Sequence, residues 1–434
     1  MKLFHLSDLH IGKQLNGYSL RANQEAVLCQ IVDYASEEHP DAILICGDIY
    51  DKTAPSGEAY TIFSNFLESI SQIKPRIPVL IIAGNHDSPE RLSYASPFLE
   101  KHSIHMSAFL PGSSKVNLPS GQREDPLGGK VNLPSGRREA PLGGKVNLPS
   151  GQREDPLGDE EYLKKVVLED EYGPVNFYFL PFLKPGYVRP LFGENQPLGY
   201  ESAVKAVLER EQIDFNQRNV LLSHQFYGSG GKDPETCESE QAVIMAGGLD
   251  RVDVSVLPDF DYIALGHIHG SQKVGSSRIR YCGTPYKYSV SEEFHKKSVT
   301  VAKLGKKGEE PELEFLPLKG IQDVRKERGS LAELLERAEE GTRHDFVSIT
   351  LTDEEEPYRV RERLEEVYSH ILEIRVDNRR TRQKLMEQAE EVPVLKPLEA
   401  FRQFYKAVRG GEMTKEEEIA MERIVQEAKE EEGI

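Results

Sequence analysis

Two kinds of hydrophobic pattern alternate along the first hundred residues. Lys2 to Leu6, Ala42 to Cys46 (AILIC) and Val79 to Ala83 are short apolar runs, each ending at glycine or polar residues. Runs of this length bounded by turn residues predict buried strands. Between them, Ala22 to Ala35 and Tyr60 to Ile70 repeat apolar residues at helical spacing. Ala26, Cys29, Ile31 and Val32 fall near one face of the first, and Ile62, Phe63, Phe66 and Ile70 on one face of the second. Strands alternating with helices predict an α/β layered core, with functional groups in the loops at the strand ends.

The pattern stops at 115–159, where a 15-residue unit occurs three times: KVNLPSGQREDPLGG from Lys115, KVNLPSGRREAPLGG from Lys130 and KVNLPSGQREDPLGD from Lys145. Each copy has two prolines, several glycines and few large apolar residues, so it lacks the face a stacking repeat buries against its neighbours. The expectation is an exposed low-complexity loop made by tandem duplication. Core-like sequence resumes at Val166 and at Asn176 to Leu183.

After about residue 300 the pattern changes again. Phe315–Leu318, Phe346–Leu351 and His370–Val376 read as strands, and a helix opened by a capping box at Ser330 and Glu333 falls between the first two. A second helix over about 357–368 completes a small α+β domain. A basic, proline-containing connector follows. Pro397 then starts a helix with Leu398, Phe401, Phe404, Tyr405 and Val408 on one face, broken at Gly410-Gly411. A second capping box, Thr414 and Glu417, opens a last helix carrying Met421, Ile424 and Val425. A helical pair beyond a linker suits docking into an apolar groove of a partner.

Composition adds three limits. The 434 residues suit two or three domains, and a 38% hydrophobic share is enough for a sizeable core. No apolar run reaches the roughly 20 residues of a membrane span, and the first residues lack the long apolar core of a signal peptide. The four cysteines are scattered without CxxC spacing, which fits a reducing cytoplasm. The net charge of −18 argues at first against nucleic acid, which usually meets a basic face. That charge is uneven, however, and residues 412–434 alone hold 3 basic and 9 acidic side chains. Against this background Arg375, Arg379, Arg380, Arg382 and Lys384 form a dense basic patch, a candidate for phosphate contact.

Candidate chemistry gathers in five segments, mostly at predicted strand ends: Asp8-Leu9-His10, Gly47-Asp48, Gly84-Asn85-His86-Asp87, His224 after VLLS, and Gly266-His267-Ile268-His269 after YIAL. Five of the twelve histidines lie in them. Taken singly, each segment reads as a turn or a hydrogen-bonded polar residue. Together they predict a metal centre. Imidazole with carboxylate suits Mn²⁺, Fe²⁺ or Zn²⁺. The seven candidate ligands Asp8, His10, Asp48, Asn85, His224, His267 and His269 exceed one tetrahedral site but suit two ions sharing a carboxylate. Two ions about 3.5–4 Å apart can hold a phosphate ester and activate water. His86, next to Asn85, is the candidate to contact the phosphate or protonate the leaving group.

This series resembles that of the calcineurin-like metallophosphoesterases. The segments FHLSDLHIGK, GDIYDKTAPS, GNHDSPERL, LGHIH and YCGTPYKYSVSEEFHKKSV are similar to the SbcD-type nuclease subunits of bacterial SbcCD complexes. The resemblance covers residues 1–110 and 160–300, and the remainder in architecture. It implies a four-layer α-β-β-α sandwich over 1–305, a small α+β capping domain at 306–378, a linker at 379–396 and a helix-turn-helix docking arm at 397–434. It implies that Asp8, His10 and His269 hold one metal and Asn85, His224 and His267 the other, with Asp48 bridging and His86 catalytic. Mn²⁺ is the implied metal. The implied partners are the SbcC ATPase and DNA ends, hairpins and single strands, and the implied assembly is a homodimer through the nuclease domain. The implied activity is ATP-dependent 3′–5′ double-strand exonuclease and single-strand or hairpin endonuclease action in DNA recombination, replication and repair. No GxxxxGK[ST] pattern occurs, so ATP hydrolysis would belong to the partner. The alternatives are another calcineurin-like phosphoesterase, a protein phosphatase or small phosphodiester hydrolase, and a non-catalytic scaffold. The phosphatase pattern GDxxDRG is not met, since Lys52 and Thr53 follow Asp51.

Overall fold

A computed structural model describes residues 1–110, 162–192, 197–241, 250–338, 341–355, 357–383, 397–409 and 411–432. The repeat at 115–159, Lys384 and most of the expected linker lie outside the described residues. The chain divides into two units. The first is Met1–Lys326 with Ala338–Ser348 and Tyr368–Glu373; the second is Glu327–Arg337, Ile349–Val367 and Ile374–Ile434.

The first unit is built on two six-stranded mixed sheets. One runs in the order Glu312–Pro317, Ser298–Lys303, Lys2–Leu6, Ala42–Cys46, Val79–Ile82 and Ile104–Ser107. Its last four strands are parallel, and Ser298–Lys303 is antiparallel to Lys2–Leu6. The other sheet runs Gln272–Val274, Ser276–Tyr281, Tyr262–Gly266, Arg218–His224, Gly173–Leu180 and Lys164–Asp170. Its four central strands are parallel, with Gly266 opposite His224.

The continuous apolar run AILIC now has a physical reason. Leu44 and Cys46 pack in a cluster with Leu80, Ile82, Phe177, Phe179, Val220, Leu222 and Ala264, which joins the facing sides of the two sheets. Ile43 and Ile45 point the other way, onto the helices Arg21–Glu38 and Gly57–Gln72 through Val27, Ile31, Phe63 and Phe66. A strand covered on both faces has no polar side to alternate with. The second sheet is covered similarly on its far face, where Leu221, Ile263 and Leu265 meet Ala203, Val204 and Val207 of the helix Tyr200–Arg210.

Differences from expectation lie mostly at element ends. The helix expected from Tyr60 begins at Gly57, because the Ser56 side chain accepts the Ala59 N–H at 3.2 Å and caps it. The strand expected at 315–318 spans Glu312–Pro317 and is the edge of the first sheet, paired with Ser298–Lys303. The small sheet instead places Phe346–Leu351 between His370–Val376 and Val324–Gly329. That last strand (VRKERG) is buried only at its ends, so its charged sequence hides it. Both capping boxes form: Ser330 N–H donates to Glu333 at 2.8 Å, and Thr414 N–H to Glu417 at 2.8 Å. The last two helices are Pro397–Arg409 and Lys415–Glu432, tied by Tyr405 Oη donating to Glu417 at 2.7 Å.

Candidate metal centre

All five segments meet at the carboxyl ends of the parallel strands. Asp8 N–H donates to Gly47 O and His10 N–H to Asp48 O, both at 3.0 Å, which locks the first loop onto the second. Asp8, His10, Asp48 and His267 all hold positive φ, at 52°, 42°, 51° and 104°. Non-glycine residues accept such angles only where surrounding contacts enforce them, and they gather at functional sites. The glycines that precede the ligands are required by space. A Cβ at Gly84 would fall inside the Asp48 carboxylate, and one at Gly266 inside the Cys46 carbonyl.

The resulting cluster is tight and buried. Asp8, His10 and His269 bring ligand atoms within 4.8 Å of one another, as do Asp8, Asp48 and His224. Asp48 Oδ2 stands 3.7 Å from His10 Nε2, 3.5 Å from His224 Nε2 and 4.0 Å from His86 Nε2. Asn85 Oδ1 lies 3.0 Å from His224 Nε2 and 2.9 Å from His267 Nδ1. Asp48 therefore sits between a group holding His10 and a group holding His224.

The donor set fits divalent metal. His269 Nδ1 is engaged by Ser239 Oγ at 2.8 Å and by Glu292, which leaves Nε2 facing His10 Nε2 at 3.2 Å. Two ring nitrogens at this spacing can share a hydrogen bond, and beside buried carboxylates they are also placed to turn to one cation. Electrostatics point the same way. Burial disfavours protonated His224, yet Asp48 outweighs it and holds the ring up at about 9. Burial likewise opposes protonation of His269, and its hydrogen bonds with the charges of Glu292 and Glu240 raise it to about 10. The carboxylates thus demand positive charge. Burial keeps His10 well below the ordinary value and, helped by His224, His267 at about 3, so both offer lone pairs.

His86 is, with Asn85, one of the two more open members, its side chain 26% exposed. Its N–H donates to Asp48 Oδ1 and its Nδ1 meets the Asp51 carbonyl, both at 2.8 Å, so Nε2 turns toward the cluster. Asp51 itself pairs with Lys13 at 2.7 Å.

Three further residues support the ligands. Asp87 accepts the N–H groups of Ile49, Tyr50 and Gly84 at 3.2, 3.1 and 2.9 Å, which fastens two ligand loops together. Glu240 accepts the His269 N–H. Glu292 is fully buried and accepts from Lys297 at 2.6 Å, while its other oxygen faces His269 Nδ1. Asp87 belongs to the GNHD segment itself, where its type gives a signal. Nothing in the spacing of Glu240 or Glu292 ties either to His269.

The remaining candidates stand apart from this centre. Arg379 and Arg382 are exposed and paired with Glu354 and Asp377, while Arg375 and Arg380 are exposed. On the terminal helices Phe404 and Ile424 are 61% and 55% exposed, and Leu398, Phe401, Tyr405 and Met421 are half-buried. The side chains of Val408 and Val425 lie outside the described residues.

A buried histidine–carboxylate cluster at the strand ends of a two-sheet α/β unit defines a metal-dependent phosphoesterase. Residues 1–271 match the calcineurin-like phosphoesterase family, and the chain belongs to it. Residues 320–409 match the family described as the type 5 capsule protein repressor C-terminal domain. The chain is similar to SbcD, the D component of the SbcCD nuclease of Staphylococcus epidermidis, at 28% identity over 375 residues, covering 86% of this chain and 84% of that protein. Among solved structures it is similar to GAP50, the anchor in the inner membrane complex of Plasmodium, with TM-score 0.34, 14% identity and coverage of 74% of this chain and 89% of that one. Among the described residues no helix is long and apolar enough to cross a membrane.

Proposed function

We propose that the protein is a two-metal DNA phosphodiesterase, the nuclease component of an SbcCD-type complex. The observation that carries this reading is Asp48 standing between His10 and His224, with further donors on each side. Asp8, His10 and His269 would hold one ion, Asn85, His224 and His267 the other, and Asp48 both. When bound, the ions supply Lewis acidity and activate water; the family's preference for Mn²⁺ is adopted. Glu292 fixes the His269 tautomer through Nδ1 and keeps Nε2 free for binding. The Asp51 carbonyl accepts from His86 Nδ1 and turns Nε2 toward the cluster, where the doubly protonated ring would hold the proton that the leaving oxygen takes. Burial of the remaining members, half-buried Asn85 apart, excludes bulk water around them.

The four-layer α-β-β-α sandwich, a capping domain whose expected start at 306 moves past the sheet-edge strand Glu312–Pro317, the linker at 379–396 and the docking arm at 397–434 belong to the same proposal. So do the homodimer and the cytoplasmic setting, the latter supported by four free cysteines. The exposed Phe404 and Ile424 support docking of the arm on the SbcC ATPase, which would supply the ATP-dependence of exonuclease and hairpin endonuclease action. The test is Mn²⁺-dependent cleavage of a hairpin DNA against a phosphopeptide and a generic phosphodiester, with and without SbcC and ATP. The proposal expects hairpin cleavage, stimulated by SbcC with ATP. Preference for the phosphopeptide would replace the nuclease reading with a phosphatase.

A further inference from the structure

A cavity of about 580 Å³ has His269 in its wall but is lined largely by residues with no part in the metal centre. Strand directions place it at the catalytic end of the sandwich. Ser276–Tyr281 runs parallel to Tyr262–Gly266, so Arg280 reaches the end where the GHIH segment lies. Ser298–Lys303 runs antiparallel to Lys2–Leu6, so His295, Lys296 and Lys297, just before it, come to the end where Asp8 and His10 lie. Glu312–Pro317 reverses once more and returns Phe315 to the same end.

The charged groups here are unequally satisfied. Lys297 is committed to Glu292 and Thr284 Oγ1, both at 2.6 Å, and to the His269 carbonyl at 3.1 Å. Arg280 is not committed. Its guanidinium lies over the Phe315 ring, 4.7 Å from the centroid. Its polar neighbour is Ser271 Oγ at 3.4 Å, and its Nε is buried without a hydrogen-bond acceptor. Among the described residues no carboxylate stands within ion-pair distance of Arg280 or of the exposed Lys296. His295 Nδ1 is buried without a hydrogen-bond partner and stands 3.9 Å from Glu292. The acidic groups in or behind the wall are Glu235, which is exposed, Glu292, which Lys297 neutralises, and buried Glu240, whose oxygens are taken up by the Cys237 and His269 N–H groups. A buried donor without an acceptor is costly, and a guanidinium held flat by an aromatic ring matches a phosphate's paired oxygens.

We propose that this cavity is a subsite for a second phosphate diester of the substrate strand, away from the scissile bond, held by Arg280 with Lys296 and Ser271. The proposal rests on the nuclease reading above. The same anion chemistry could be met by free inorganic phosphate, so the test separates the two sources. The full-length chain, with Arg280→Gln, Lys296→Gln and Arg280→Lys variants, is titrated with a labelled single-stranded oligonucleotide in EDTA across a salt series, with inorganic phosphate as competitor. Arg280→Gln should weaken binding about tenfold and reduce the slope of log affinity against log salt by about one, with partial recovery in Arg280→Lys. With Mn²⁺, the ratio of kcat/KM for the oligonucleotide to that for bis(p-nitrophenyl) phosphate should fall by a similar factor. Equal losses on both substrates would make Arg280 a structural residue and overturn the subsite. A change confined to inorganic phosphate competition would make the cavity a free-phosphate site and also overturn it. Wild-type cleavage of DNA with unchanged oligonucleotide binding in Arg280→Gln removes the subsite alone. A wild-type chain that hydrolyses the small diester but neither binds nor cleaves DNA removes the nuclease reading and the subsite with it.

Discussion

His86 shows how one side chain is aimed by its neighbours. Its backbone N–H is tied to the Asp48 carboxylate and its Nδ1 to the Asp51 carbonyl, so the ring offers Nε2 and little else. His86→Ala should cut hydrolysis by at least the 10²–10⁴-fold typical of a lost general acid while metal content stays constant. Parallel kinetics and elemental analysis check this, and unchanged turnover would remove His86 from the mechanism. Glu292 works one step further back. It pairs with buried Lys297 and orients His269. Glu292→Ala should lower metal affinity by roughly 10–100-fold. It should also destabilise the chain by about 3–5 kcal/mol in denaturant titration, since Lys297 is left buried and unpaired. The contrast between these residues explains what can be read in advance. Asp8, His10, Asp48, Asn85, His224, His267 and His269 carry ligand chemistry and follow recognisable strand ends, so type and position agree. Glu292 carries the same chemistry but lies 23 residues from His269, and only folding brings it beneath the ring.

Elements are legible where burial is two-sided or capping is local. The AILIC strand appears as an unbroken apolar run because helices cover one face and the second sheet the other. Val324–Gly329 is hidden because its interior residues face solvent at an edge. The helix Gly57–Gln72 shows in its apolar face, but its first turn is set by Ser56, whose cap lies outside that pattern. Ser56→Ala should cost about 1 kcal/mol of stability with little effect on the metal centre. Thermal melts compared with metal binding check it, and an unchanged melting temperature would mean the cap is redundant.

At the scale of the molecule, a carboxylate holds the chain's first residue to the second sheet. Asp170 accepts from the N-terminal ammonium at 2.8 Å and from Arg218 at 2.9 Å. Burial pushes its carboxyl up, but these partners outweigh it and hold it well below the usual carboxylate range. A depressed carboxylate adds stability above its unfolded value, about 3.9, and loses it as pH falls toward the folded value. Asp170→Asn should therefore lower the melting temperature at pH 7, and the gap from wild type should close progressively below about pH 4. A gap independent of pH would show that the charge is not what matters. The formal charge of −18 also reads differently at this scale. Asp8 and Asp48 count as negative in the sequence, yet they belong to a cluster in which His224 and His269 are pulled toward protonation and which would carry two divalent ions.

The proposed chemistry turns on Asp48 being shared by two metal ions. Elemental analysis of Mn²⁺-loaded protein, together with anomalous scattering from its crystals, decides the point. Two Mn²⁺ per chain are expected on either side of Asp48, about 3.5–4 Å apart, with loss of this pair in Asp48→Ala. A single ion, or ions bound at another group such as Cys237, His269 and Glu292, would refute the shared carboxylate.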